Sequence, residues 1–248
     1  MAAVERPRIV GAGHAEAGWR ASAWLAGLGQ RTDAEVLDGH RRLVVVSPHP
    51  DDETLACGGL MRAATLAGRE LLVVAVTDGE ACYPDGQEWT ADRLRRVRPQ
   101  ELEDALDTLG ARGSIDRLGL PDGAVSRYAD ELLGAIRDRL APGDLVLAPW
   151  QQDGHPDHDA TGRAAIAAAP ARGARLLRYP VWAWHWLNPD APRAPFRAFR
   201  MPLDAQAHAR KQEAIRCFTS QIAPGGPAPI LPDHVLARFD RPFEVYLP

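Results

Sequence analysis

Short runs of consecutive apolar residues alternate along this chain with longer segments in which apolar residues recur every three or four positions. Leu43-Val44-Val45-Val46 has the unbroken apolar character of a strand buried on both faces, and it ends at a polar, proline-containing turn. The spacing then predicts a helix over 54–67, closed by Gly68, and a second buried strand over 71–76 that ends at Thr77-Asp78-Gly79. Leu102, Ala105, Leu106 and Leu109 place a helix over 99–109, and a further helix is expected over about 129–140. Pro142-Gly143 turns the chain into a strand at 145–148, followed by a helix over about 160–169 and a strand at 176–179. This order predicts an α/β fold: a Rossmann-like, mostly parallel sheet with helices on both faces. Folds of that kind bind ligands beyond the carboxyl ends of their strands.

The flanks read differently. Residues 1–40 are expected to form an N-terminal helical extension, with a helix around 15–27 that turns Trp19, Ala23 and Ala26 toward the body; residues 41–248 form the main domain. Ile9-Val10-Gly11-Ala12-Gly13 imitates a dinucleotide-binding loop. Its third glycine is replaced by Glu16 and its strand would be two residues long, so that reading is set aside. After Pro180 comes a segment with Trp182, Trp184 and Trp186 and then prolines to Pro202, expected as a loop-rich cap after the core. A helix around 205–218 and a strand at 243–247 complete the prediction, without repeats or low-complexity tracts.

Composition removes several classes of function. With 29 Lys and Arg against 33 Asp and Glu in 248 residues, no positive excess is available for nucleic acid. Lys211 is the single lysine, and a 28-fold preponderance of Arg fits a GC-rich coding sequence, so arginine frequency is no sign of phosphate recognition. No apolar stretch is long enough for a membrane span, and the N-terminus lacks the layout of a secretory signal. The expectation is a soluble, cytoplasmic protein in a reducing compartment, with neither nucleic acid nor membrane as partner; the sequence leaves open whether it forms a homo-oligomer. Cys57, Cys82 and Cys217 are too few and too scattered for a disulfide framework or a thiolate metal site. A metal would have to be held by the eight histidines and by carboxylates.

Two loops concentrate that chemistry, Ser47-Pro48-His49-Pro50-Asp51-Asp52-Glu53 and Gly154-His155-Pro156-Asp157-His158-Asp159. Each contains His-Pro-Asp, a tripeptide that composition alone predicts about 0.06 times in the chain. Both follow predicted strands. In a tight turn, residues three apart share a face, so His49 converges with Asp52 and His155 with His158, while Asp51 points away from the pair. The prolines preset these turns. An imidazole and carboxylate set suits Zn²⁺ or another divalent first-row metal such as Fe²⁺, Mn²⁺ or Co²⁺. If all four ligate, the site is closed and structural; if one histidine stays back, a coordination position is open for chemistry. A chain of this length needs no staple, and Asp51 and Asp157 are carboxylates in excess of a structural site, which favours the open form.

The segments "SPHPDDETLACGG" and "GHPDH" resemble the PIG-L / LmbE-like family of metal-dependent N-acetylglucosamine deacetylases. Arg98-Pro-Gln-Glu101, Leu118 to Gly123, and Lys211 through Ser220-Gln221 resemble that family's Arg-x-x-Glu, Leu-Gly-x-x-Asp-Gly and late Lys…Ser-Gln segments, so the likeness covers about residues 41–222. The resemblance implies a Rossmann-like sheet and hydrolysis of an acetamide on an amino sugar. It implies His49, Asp52 and His158 as metal ligands, Asp51 as general base and His155 as oxyanion stabiliser or proton donor. Asp157 would orient a neighbouring histidine, and Arg98 and Asp122 would contact sugar hydroxyls. His185, between Trp184 and Trp186, is a candidate for the substrate mouth, and Glu53 supports its loop. The remaining histidines, 14, 40, 208 and 234, carry no such pattern. The alternatives are an amidase acting on a larger glucosamine-containing conjugate and a non-catalytic, metal-stabilised sugar-binding protein.

Overall fold

The computed structural model describes residues 9–84, 86–191, 194–223, 225 and 228–248. The first eight residues of the N-terminal extension and Pro192-Arg193 of the proline-rich segment lie outside the described residues. In chain order the structure begins with Glu16–Ala21 (α1), Ala23–Ala26 (α2), Gly29–Gln30 (β1) and Asp33–Leu37 (α3). Arg42–Ser47 (β2), Asp52–Leu66 (α4), Glu70–Ala75 (β3), Ala91–Leu109 (α5) and Ser114–Arg117 (β4) follow. Then come Ala129–Arg139 (α6), Leu145–Pro149 (β5), Pro156–Ala171 (α7), Arg175–Tyr179 (β6) and Ala183–Trp186 (α8). Phe199–Pro202 (β7), Ala205–Ile215 (α9), Thr219–Ile222 (α10), Asp233–Leu236 (α11) and Phe243–Tyr246 (β8) complete the chain.

Five strands form a sheet in the order β4-β3-β2-β5-β6, and every neighbouring pair is parallel. Alternation along the strands divides the core into two layers. Leu43, Val45, Val73, Leu145 and Leu147 join the layer that includes residues of α4 and α5. Val44, Val46, Val74, Val146 and Ala148 join the layer that includes α6 and α7. Both faces are therefore covered, as continuous apolar strands require. The strand order reverses between β2 and β5, so their carboxyl ends border the crevice where this class of sheet binds ligands. Both His-Pro-Asp loops follow these two strands.

A smaller sheet, β1-β7-β8, pairs β1 with β7 in parallel and β7 with β8 antiparallel. A bridge between Leu247 and Arg178 ties its end to β6. Glu244 of β8 accepts hydrogen bonds from the Gly59 and Leu60 amides of α4, from Tyr246 Oη and from Lys211 Nζ, the last at 2.8 Å. The single lysine is thus a buried clamp between α9 and β8. Among the described residues, no helix is long and apolar enough to cross a membrane.

Several boundaries differ from the sequence pattern, each for a local reason. The helix expected over 15–27 is two, because the Ser22 side chain accepts from the Leu25 amide and starts a new helix; Ser22 and Leu25 are buried, and Ala23 and Ala26 are exposed. Trp19 does face the body: its Nε1 donates to Trp184 O at 2.9 Å and the rings meet edge to face. Helix α5 begins at Ala91, capped by Thr90, and carries Pro99 inside it, although proline suggested the start. Helix α7 starts within the second motif, at Pro156. The segment after Pro180 is anchored at its root: Asp153 accepts hydrogen bonds from the amides of Val181, Trp182 and Ala183, and α8 is buried. Strands β1, β4 and β7 have no apolar run to announce them; β4 is an edge strand reading Ser-Ile-Asp-Arg.

Candidate active site

The turn after β2 is held by its neighbours. Val76 and Thr77 amides donate to Ser47 O and Pro48 O, and Thr77 Oγ1 donates to Pro48 O at 2.8 Å. Asp51 stands at the N-cap of α4 but makes no capping bond. Its φ of 147° makes it the described non-glycine residue with positive φ, a conformation that costs about 1–3 kcal/mol and collects at functional sites. Glu53 supports the strain: its Oε2 accepts from the Asp51 amide at 3.2 Å and from Ser47 Oγ at 2.8 Å. Arg98, buried on α5, donates to Asp51 Oδ2, Pro50 O and Gly79 O, each at 2.8 Å. Gly79 has a φ of 66°, and a Cβ there would fall on the Arg98 guanidinium, so glycine leaves the space that the arginine fills.

The turn after β5 is built by α7 itself. His155 is the N-cap, its Nδ1 accepting from the Asp157 amide at 3.2 Å, and Pro156 follows at the first helical position. Asp157 accepts from Gly123 N at 2.7 Å and Val125 N at 3.2 Å, joining the second motif to the Leu118–Gly123 loop. Its Oδ2 also lies 3.4 Å from His49 Nε2.

Between the loops, His49 Nδ1, Asp52 Oδ2 and His158 Nε2 form a triangle with separations of 3.2, 3.1 and 3.3 Å. Tetrahedral ligation at about 2.0–2.1 Å sets ligand atoms about 3.3 Å apart, so the three fit one divalent ion with a position to spare. His155 lies beside them, ring centroids 4.9 Å from His49 and 5.1 Å from His158. Two overlapping groupings, His49 with His155 and His158 and His49 with Asp122 and Asp157, are also close enough to share an ion. His158 Nδ1 is 2.9 Å from Asp153 Oδ2, so the ring is held from behind by a carboxylate.

The charges fit that arrangement. Burial pulls the His49 pKa down, yet Asp122, Asp157 and Asp52 raise it well above the ordinary value. Burial likewise opposes, and Asp52 and Asp153 outweigh it, bringing His158 to about 9. Burial and the neighbouring His49 and His158 push His155 down to about 3, which keeps it neutral. Burial raises Asp51 to about 8 against the pull of Arg98. Asp52 moves the other way: burial opposes ionisation, but His158 and His49 hold it below the usual carboxylate range.

His49, Asp51, Asp52 and His155 border a cavity of about 260 Å³. Its lining includes the charged and imidazole side chains of His49, Asp51, Asp52, Arg98, Asp122 and His155, and also Leu55, Cys82, Val181, Trp182, Gln221, Ile230 and Leu231. Asp122 Oδ1 is 3.1 Å from His49 Nε2 and its Oδ2 accepts from Ala81 N, so this carboxylate holds the histidine as well as lining the cavity. Arg98 lines it too, with Nη1 and Nη2 donating to Asp51 and the backbone. His185 is a correction to the sequence expectation. It lies apart from the cavity lining, between Arg238 Nη1 at 3.2 Å and Val10 O at 3.0 Å, where it ties down the Gly11-Ala12-Gly13 segment. Of the tryptophans after Pro180, Trp182 reaches the cavity, while Trp184 packs on Trp19 and Trp186 stacks on Trp150. Asp153 was missed by sequence reasoning; the only signal was its place two residues before His155.

Residues 44–169, half of the chain, match the family described as PIG-L, GlcNAc-PI de-N-acetylase. A probable N-acetyl-α-D-glucosaminyl L-malate deacetylase 2 of Bacillus cereus is 31% identical over 134 residues, 52% of this chain and 60% of the relative. A 1D-myo-inositol 2-acetamido-2-deoxy-α-D-glucopyranoside deacetylase of Rhodococcus jostii is 31% identical over 172 residues, 59% of this chain and 58% of the relative. The alignments thus span about three fifths of these curated relatives. A teicoplanin deacetylase, solved in a zinc-inhibited form, shares the fold with a TM-score of 0.63 at 21% identity, over 84% of this chain and 97% of that one.

Proposed function

The chain belongs to the PIG-L family, GlcNAc-PI de-N-acetylase, and from that premise we propose that it is a metal-dependent hydrolase removing the acetyl group from an N-acetylglucosamine-type amino sugar or its conjugate. The observation that carries this reading is the triangle of His49, Asp52 and His158 beside the strained carboxylate of Asp51, on the wall of a cavity large enough for a small ligand. That both curated relatives are named as deacetylases of amino-sugar conjugates supports the substrate class. His49, Asp52 and His158 would hold the ion, with Zn²⁺ as our choice among divalent first-row metals. When bound, it supplies Lewis acidity, making water more acidic and polarising an amide carbonyl.

The chain's own residues do the rest. Asp51 takes the proton of the attacking water on Oδ1, because Arg98 occupies Oδ2. Burial lifts its pKa to about 8, close to the range in which a general base is effective. His155 spends Nδ1 as an acceptor, so its proton sits on Nε2 and is offered to the amide oxygen as that oxygen gains charge. The carbon–oxygen bond forms, the carbon–nitrogen bond breaks, and Asp51 returns its proton to the departing amine; acetate and a free amino sugar result. Asp157, Asp122 and Asp153 orient the imidazoles. The three free cysteines support a reducing, cytoplasmic setting.

The apolar part of the cavity lining, Leu55, Val181, Trp182, Ile230 and Leu231, favours a second reading, in which the acyl group is larger than acetyl. A mass-spectrometric screen of N-acetylglucosamine conjugates and their N-butanoyl counterparts, with metal added, tests both. Loss of acetyl alone supports the deacetylase, preferential loss of butanoyl the larger amidase, and no loss in either series removes the hydrolase reading.

A further inference from the structure

The peptide unit joining Pro50 to Asp51 is held at both ends by opposite charges. Its oxygen accepts from Arg98 Nη2 at 2.8 Å, and its N–H donates to Glu53 Oε2 at 3.2 Å. The next peptide unit is pinned through Asp51 O, which accepts from Leu55 N at 2.8 Å in the first turn of α4. With the planes on both sides of its Cα fixed, Asp51 keeps its φ of 147°, and Arg98 Nη2 meets its Oδ2, again at 2.8 Å. A terminal guanidinium nitrogen carries two hydrogens, so Nη2 spends both on Asp51 and the peptide before it. The arginine is held in turn. Its Nη1 donates to Gly79 O at 2.8 Å, and Gly79 N donates to Thr77 Oγ1, whose own hydrogen goes to Pro48 O. Gly79 has a φ of 66°, and a Cβ there would fall on Nη1 and Cζ of Arg98, so a larger residue drives the guanidinium from its seat. The Arg98 side chain is 3% exposed, and Gly79 lies apart from the cavity lining.

We propose that Arg98 and Gly79 are positioning residues for the general base: Arg98 fixes the backbone and Oδ2 of Asp51, which leaves Oδ1 to take the proton of water, and Gly79 keeps the space that Arg98 needs. The proposal rests on the hydrolase reading above. Without Arg98, the strained backbone loses the donor on Pro50 O and relaxes, carrying the carboxylate with it. A reacting group misplaced by about 1 Å costs about 10²-fold in rate. The family resemblance implies a different role for Arg98, a contact with sugar hydroxyls. The two roles separate kinetically, since a sugar contact governs KM and a positioning residue governs kcat.

The test measures acetate release from N-acetylglucosamine and from the conjugates of the screen above, at saturating metal, with metal content checked by elemental analysis. The chains compared are the parental one, Arg98→Met, Arg98→Lys, Gly79→Ala and the double variant of Gly79→Ala with Arg98→Met. Arg98→Met should lower kcat about 10²-fold, keep KM within about twofold and keep the parental metal content. Gly79→Ala should do the same from outside the cavity lining. The double variant should fall no lower than Arg98→Met, because the glycine acts through a residue already removed. Arg98→Lys, which keeps the charge without the planar fork, should recover part of kcat. If Arg98→Met fails to fold, Arg98→Lys and Gly79→Ala carry the same split between kcat and KM. A rise of about tenfold in KM with kcat near the parental value marks a sugar contact and overturns the proposal, as does parental kcat in Gly79→Ala. A loss of kcat that follows a loss of metal overturns it too. A crystal structure of Gly79→Ala separates the proposal from the hydrolase reading. The expected result is an Asp51 carboxylate displaced with its φ changed; Asp51 unmoved after the guanidinium has left overturns the positioning role. A parental chain that releases no acetate from any of these compounds sinks the deacetylase, and the hold of Arg98 and Gly79 on Asp51 is then judged by that structure.

Discussion

At the scale of the residue, Asp51 concentrates the account. An aspartate before a helix ordinarily caps it, yet here the carboxylate is drawn to Arg98 while the backbone is strained. Asp51→Asn should lower kcat by about 10²–10⁴, the usual worth of a general base, and leave the metal content per chain unchanged by elemental analysis. Asp153→Asn should weaken metal affinity about 10–100-fold, measured by competition with a chromogenic chelator, because it loosens His158 from behind. Acidity gives a third expectation. Burial lowers the pKa of both histidines proposed as ligands, but their carboxylate partners prevail, raising His49 well above its ordinary value and His158 to about 9. Protons therefore compete with the ion at neutral pH. Metal affinity should rise with pH toward about 9 and fall in acid, and calorimetry in buffers of different ionisation enthalpy should find at least one proton released per metal at pH 7. Uptake without proton release would contradict the ligand set.

The His-Pro-Asp loops were legible because the residues that converge in each, His49 with Asp52 and His155 with His158, lie three residues apart in one turn. Asp153 was not, because its partners are the amides of 181–183 and a histidine ring, none of which its own neighbourhood reveals. His185 was misread because flanking tryptophans suggest a sugar platform equally well whether the ring faces a cavity or an N-terminal strap.

At the scale of the element, the buried strands β2, β3, β5 and β6 announced themselves as apolar runs, since a strand covered on both faces has no polar register to keep. Edge strand β4 and strands β1 and β7 of the small sheet could not do so, being short and partly exposed. The start of α5 was hidden by Pro99, whose missing amide is outweighed by the packing of Leu94, Leu102 and Leu106. The N-terminal helices share the main core, with Trp19 1% exposed against Trp184 and its indole N–H bonded to that residue. Trp19→Ala should cost about 3–5 kcal/mol in urea unfolding, the range for deleting a buried large aromatic. A chain beginning at residue 41 should lose most of its cooperative unfolding, since Trp19, Leu25, Val36 and Leu37 leave the core together.

At the scale of the whole molecule, the reversal of strand order between β2 and β5 brings the two motifs, more than 100 residues apart, to one crevice. Strand-helix alternation predicted such a crevice without saying which strands flank it; the repeated motif supplied that information. The part of the lining supplied by Gln221, Ile230 and Leu231 depends on the packing of α10 against α5 and could be read only from the fold. The central claim is that His49, Asp52 and His158 hold an ion on which amide hydrolysis depends. Acetate released from an N-acetylglucosamine conjugate, titrated against metal added to chelated protein, tests it most directly. The account predicts no acetate without metal, release that saturates at one equivalent, and no release at any metal level from His158→Ala. Undiminished release from the chelated chain, or from that variant, would contradict it.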